Sequence, residues 1–265
     1  MMPRLSLRAA VPALCAAPVV ALLAVAALAP LPYAVAQPGI TTDVLGEDGG
    51  RPVITVEAAA RPAGGDAGEL LMTTIAATSP DDTVRLPEVA GGWLAGDRAV
   101  MPLDAVYPVG DDLEEIRRHN RAEMTESQSA AVTAALRQLG TDEDEVDVEL
   151  RLEDVGGPSA GLLFALGVVE KLDGDGAGGT LTGGRTIAGT GTIAANGEVG
   201  PVGGVALKTQ AAARDGATVF LVPAAECADA RAERPEGLRL VPVTTLEGTL
   251  ESLAALRAGD PLPGC

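Results

Sequence analysis

A serine and a lysine are the residues of this chain best placed for chemistry. Ser159 sits in Gly156-Gly157-Pro158-Ser159-Ala160-Gly161, and Lys208 ends Gly200-Pro201-Val202-Gly203-Gly204-Val205-Ala206-Leu207-Lys208. A serine hydroxyl is a weak nucleophile until a base takes its proton, and a lysine stripped of hydration can be that base. The chain has a single histidine, His119, among Arg117, Arg118 and Arg121. It reads as part of a solvated helix face, which leaves a Ser-His-Asp triad nearly excluded. The pattern points to a Ser–Lys dyad peptidase.

The surrounding residues specify the elements that must hold this pair. Val146, Val148, Leu150 and Leu152 alternate with Asp147, Glu149, Arg151 and Glu153, the period of a half-buried strand. Gly156 and Gly157 then allow a sharp turn, and from Ala160 to Val169 the chain is apolar on all sides, as a buried helix is. Ser159 falls at the start of that helix, with Gly157, Pro158 and Ala160 forming the turn around it. There, unpaired N–H groups and the helix dipole favour a developing oxyanion. Two readings stand: a nucleophile in an oxyanion pocket, or a helix N-cap. Gly203 to Arg214 predicts a second helix, closed by Gly216 and followed by a strand over 217–223. Lys208 has Gly204, Val205, Ala211 and Ala212 as its neighbours on that helix. A lysine on so small and uncharged a face loses water and gains no carboxylate, so its pKa should fall. The competing reading is a lysine snorkelling from the core edge; Ser159 favours the base.

Two further stretches accompany the pair: Gly189-Thr190-Gly191-Thr192-Ile193, and the run from Asn196 to Gly204. With Gly157-Pro158-Ser159-Ala160-Gly161-Leu162 and Lys208, they resemble the proteolytic domain of Lon-type serine peptidases. The resemblance implies that Ser159 is the nucleophile, Lys208 the base, and Thr190 a hydrogen-bonding support for the lysine. Many members carry an acidic residue three positions before the serine; here that position is Gly156, and the nearest acids are Glu153 and Asp154. Catalytic domains of this kind usually pack as hexameric rings, so self-association is implied by likeness alone. The likeness covers about 146–265 strongly and about 37–139 more weakly.

At the other end, Arg4 and Arg8 precede a stretch from Ala9 to Thr42 without a charged side chain, its apolar heart running to Leu31. That is long enough to span a bilayer with the arginines on the cytoplasmic side. Ala34-Val35-Ala36 also has the form of a signal-peptidase site, which would leave Gln37 as the new N-terminus. Either way the rest is exported, as a single-pass membrane protein with an extracytoplasmic catalytic domain or as a secreted one. Pro32-Tyr33 and Pro38-Gly39 resemble the segment after the anchor in exported Lon-like proteins, which favours retention. Cys227 and Cys265 are the two cysteines beyond this stretch, and an oxidising compartment would allow them to pair; two free thiols are the alternative.

The net charge of −18 argues against nucleic-acid binding through a basic surface. No Gly-x-x-x-x-Gly-Lys-[Ser/Thr] occurs, and neither does His-Glu-x-x-His or a Cys/His cluster of zinc spacing. The expectation is an enzyme with no ATP, metal or cofactor. Residues 52–57, 70–76 and 99–102 read as strands, and 111–139 as a helix capped by Asp111 or Asp112 and stopped by Gly140. Gly68 to Ile75 and Ala122 to Ala131 resemble the same exported group. Its members commonly carry a PDZ domain after that helix, where this chain has only the acidic connector 140–145. We expect an α/β (α+β) fold with a mixed sheet and flanking helices. The divisions are a signal or anchor helix over 1–36, a strand-rich region with a long helix over 37–145, and the catalytic domain over 146–265. The expected function is ATP-independent endopeptidase action on exported or cell-envelope polypeptides. A non-catalytic Lon-like scaffold at the membrane is the alternative, and a small-molecule kinase of related fold stands well behind both.

Overall fold

The structure, a computed structural model, describes residues 7–57, 68–110, 112–152 and 155–265, with side chains from residue 15 onward. Arg4, the Arg8 side chain, Asp111, Glu153 and Asp154 thus lie outside the described residues. From the N-terminus the chain forms α1 (Leu7–Leu28), β1 (Tyr33–Asp43), β2 (Glu47–Asp48), β3 (Arg51–Pro52), β4 (Ile54–Glu57) and β5 (Glu69–Ala77). There follow α2 (Leu86–Leu94), β6 (Ala99–Pro102), α3 (Leu103–Val106), α4 (Leu113–Leu139), β7 (Asp147–Leu150) and α5 (Gly161–Leu172). The remainder comprises β8 (Thr186–Gly189), β9 (Thr192–Ile193), β10 (Val199–Gly200), α6 (Val205–Arg214), β11 (Val219–Pro223), α7 (Cys227–Ala232), β12 (Arg239–Val243) and α8 (Leu246–Ala258). The chain divides into two compact units, Met1–Ala36 with Ala77–Asp111, and Gln37–Ala76 with Asp112–Cys265.

In the first unit, Tyr33 to Ala36 of β1 pair antiparallel with β6, and Ala34 and Ala36 are fully buried. The residues that resemble a cleavage site therefore belong to a strand that runs on to Asp43. Strand β1 and helices α2 and α3 were not foreseen, because Gly, Pro and Asp punctuate the region and mask short elements. On α1, Val19, Val20, Leu22, Leu23, Val25 and Leu28 are all more than half exposed, as are Trp93 and Leu94 at the end of α2. The bilayer-spanning segment expected over Ala9 to Leu31 is not found: among the described residues no helix is long and apolar enough to cross a membrane.

The second unit is a layered α/β structure. Its strands lie in the order β12-β11-β8-β5-β1, and β5, β8, β11 and β12 run parallel. Alternation along each strand splits the core in two. Leu70, Met72, Ile187, Val219, Leu221 and Val241 pack with Leu162 to Val169 of α5 and with α4 and α8. Leu71, Ala188, Phe220, Val222 and Leu240 turn the other way, toward Val205 and Ala212 of α6 and Ala230 of α7. Parallel strands buried on both faces must be apolar throughout, which is why β11 is. Burying its five residues contributes roughly 1.5–3 kcal/mol for each large side chain.

Helix boundaries follow local chemistry. Asp112 Oδ1 accepts from the N–H groups of Glu114 (2.8 Å) and Glu115 (3.3 Å) to start α4, and Gly140, at φ 67°, ends it. The acidic connector is exposed but not featureless, since Glu143–Glu145 make one 3₁₀ turn. The strand before Ser159 is also shorter than its pattern. It ends at Leu150 and pairs antiparallel with β4 in a two-stranded ribbon, not in the main sheet.

Candidate active site

Three elements meet at the carboxyl end of β8. On one face of the sheet, α5 begins two residues after Ser159; on the other, α6 carries Lys208. Thr190, the residue after β8, lies between them and is fully buried. Lys208 is 3% exposed, and its Nζ donates to Thr190 Oγ1 at 2.9 Å. Thr190 Oγ1 donates in turn to the carbonyl of Ser159 (3.2 Å), which also accepts the Gly191 N–H (2.9 Å). Lysine, threonine and the serine backbone thus form one hydrogen-bonded chain.

Burial makes the lysine unusual. An ammonium has three donors, yet among the described residues Lys208 makes one bond, and no carboxylate is paired with it. Desolvation pushes its pKa from 10.5 down to about 8. The neutral amine donates one N–H to Thr190 and keeps a lone pair for a proton.

The serine turn is tightly specified. Gly157 adopts φ 87°, which only glycine takes at little cost, and its N–H donates to the Asn120 carbonyl (3.2 Å). A Cβ at Gly156 would approach Asn120 Cβ to 2.6 Å, so the missing acidic residue has a steric reason. Pro158 has no N–H, and its carbonyl accepts from Ser127 Oγ at 3.0 Å. Gly157 is already engaged, Pro158 cannot donate, and the N–H groups of Ser159 and Ala160 have no acceptor among the described residues. Ala160 is the N-cap of α5 and has no side-chain oxygen, so Ser159 is not a capping residue.

Several supporting residues escaped the sequence reading. Ser127, buried on α4, holds the Pro158 carbonyl, and a Cβ at Gly161 would meet its Oγ at 2.8 Å. Thr73 of β5 donates to the Gly189 carbonyl at 3.1 Å. The signal for Ser127 was its place with Ala131, Ala134 and Ala135 on one face of α4, a small-residue stripe that admits close packing. Cys227 and Cys265 are disulfide-bonded, with Cα atoms 5.2 Å apart, while Cys15 is free. His119 pairs with Glu123 on the exposed surface of α4 (3.4 Å).

The model of the Lon protease (S16) C-terminal proteolytic domain matches residues 112–255, more than half of the chain. The chain belongs to this family. It is a serine-type peptidase, and the Lon match begins at the cap of α4 and includes the Ser159 turn, Thr190 and Lys208. That Lon domain therefore includes the helix whose Asn120 and Ser127 hold the turn. A comparison with curated proteins found no match.

Proposed function

We propose that this chain is an ATP-independent Ser–Lys endopeptidase that cleaves exported or cell-envelope polypeptides through an acyl-enzyme. The observation that carries this reading is Lys208, dehydrated and hydrogen-bonded through Thr190 to the backbone of Ser159. Neutral Lys208 takes the proton of Ser159 Oγ as the oxygen attacks the scissile carbonyl. The negative charge that develops on the carbonyl oxygen is met by the N–H groups of Ser159 and Ala160 and by the N-terminal end of α5. The lysine ammonium then gives its proton to the leaving amine. A water molecule, deprotonated by the same lysine, hydrolyses the ester, and the lysine passes that proton to the departing Ser159 Oγ, which restores the starting state.

ATP independence is supported by the lack of a Walker A sequence in the chain. Export and membrane attachment through α1 are supported by the exposed apolar side chains of α1, by Trp93 and Leu94, and by the disulfide, which suits an oxidising compartment. Retention of α1 is favoured over cleavage after Ala36, since a cut there would divide β1 and take its pairing partner from β6. Assembly into a ring of six is proposed from the family.

The test is cleavage of casein by the purified full chain in detergent, with EDTA and without ATP, beside Ser159→Ala and Lys208→Ala. Activity in the parent and in neither variant supports the reading. Cleavage that persists in Ser159→Ala would sink it.

A further inference from the structure

A cavity of about 1060 Å³ opens beside the serine turn. Gly156 lines one end, and three residues of chain place Ser159 within about 11 Å of it. Half-buried or buried Met124, Leu150, Leu152 and Val155 give the cavity apolar surface. Arg117 and Arg121 of α4 line it as well, one helical turn apart and both exposed. Like charges at that spacing repel each other. Neighbouring charges are compensated, Arg151 by Glu149 at 3.0 Å and His119 by Glu123 at 3.4 Å. Arg117 and Arg121 are not: Arg121 Nε donates to the Arg117 carbonyl at 3.2 Å, but among the described residues neither guanidinium has a carboxylate within 4 Å. In a chain with 37 acidic and 19 basic side chains, two adjacent guanidinium groups that line a cavity with no carboxylate among the described residues offer a site to an anion from outside.

We infer that this cavity receives the polypeptide substrate and that Arg117 and Arg121 select acidic side chains on it. The inference rests on the assignment of Ser159 as nucleophile and adds the class of sequence it acts on. Strand β7 pairs with β4 alone, and Arg151 N–H donates to Val53 O, so the N–H groups of Leu150 and Leu152 point away from β4. An extended chain laid along that edge sends alternate side chains to opposite faces. One set meets the apolar surface, and an Asp or Glu in the other comes within reach of the guanidinium groups, which match carboxylates with two parallel hydrogen bonds.

The experiment uses two fluorescein-labelled, unstructured peptides of one length, one containing Asp and Glu and its twin containing Asn and Gln at those positions. Binding to full-length Ser159→Ala protein in detergent is followed by anisotropy, and cleavage by the parent is followed separately. The acidic peptide should bind about three- to tenfold more tightly, as expected for exposed ion pairs, with the preference shrinking at high salt. Adding Arg117→Gln and Arg121→Gln should bring the twins to equal affinity. Arg234→Gln with Arg239→Gln, exposed positions that change net charge equally, should leave the preference intact. Equal binding of the twins, binding of neither, or a preference that survives in the Arg117/Arg121 variant would overturn the inference. Cleavage by the parent that is lost in Ser159→Ala tests the peptidase assignment independently of all three.

Discussion

Lys208 is the residue on which the proposed chemistry depends, and its burial carries a thermodynamic signature. Its folded pKa of about 8 lies below the 10.5 of the free side chain, so between these values the unfolded chain binds a proton that the folded one does not. Stability should therefore rise as pH climbs from about 8 to 10.5, and below pH 8 the fold bears the whole cost of burying the ammonium. At pH 7, Lys208→Met should gain roughly 1–3 kcal/mol while losing activity, and the gain should vanish above pH 10.5. Calorimetry at two pH values measures this. The same equilibrium shapes catalysis, so kcat/KM should rise tenfold per pH unit and level off near pH 8. Lys208→Arg, which cannot deprotonate, should be inactive throughout. Thr190→Val leaves the amine without its one partner, and kcat should fall about 10- to 100-fold with the ascending limb of the pH profile displaced.

At the scale of elements, the serine turn is shaped by α4 more than by its own sequence. Asn120 takes the Gly157 N–H, and Ser127 takes the Pro158 carbonyl. Ser127→Ala should cost about 1 kcal/mol of stability and lower kcat with little change in KM, because only the turn is loosened. Gly161→Ala is harsher. Its methyl would press on Ser127 and on Ile193, and denaturant unfolding should show a loss of about 1–3 kcal/mol. These helices were legible in the sequence. Asp112 and Gly140 mark the ends of α4, and the apolar run from Gly161 marks α5 as buried. Strand β1 was not legible, because Pro38 and Gly39 interrupt its β-forming residues and its place between β5 and β6 is set by pairing with segments distant in the chain.

For the molecule as a whole, the disulfide is the testable link. It closes a separation of 38 residues and ties the C-terminal tail to the start of α7. Cys227→Ser with Cys265→Ser should lower stability by at most about 4 kcal/mol, the entropy of such a loop. Thiol titration of the unreduced protein should find one reactive group, Cys15.

By itself the sequence marked the groups proposed to react. A serine framed by glycines, a lysine among small residues and a threonine after a glycine are local facts, and local chemistry marks the turn and the helix ends. Only tertiary structure decided that Lys208 is dry, since the dryness comes from α6 and β8 closing around it, residues far apart in the chain. Tertiary structure also gave the Gly157 N–H to the Asn120 carbonyl and brought α4 against the turn. Packing between distant segments has no signature in a window of neighbouring residues, and both the electrostatics of this site and the shape of its turn depend on that packing.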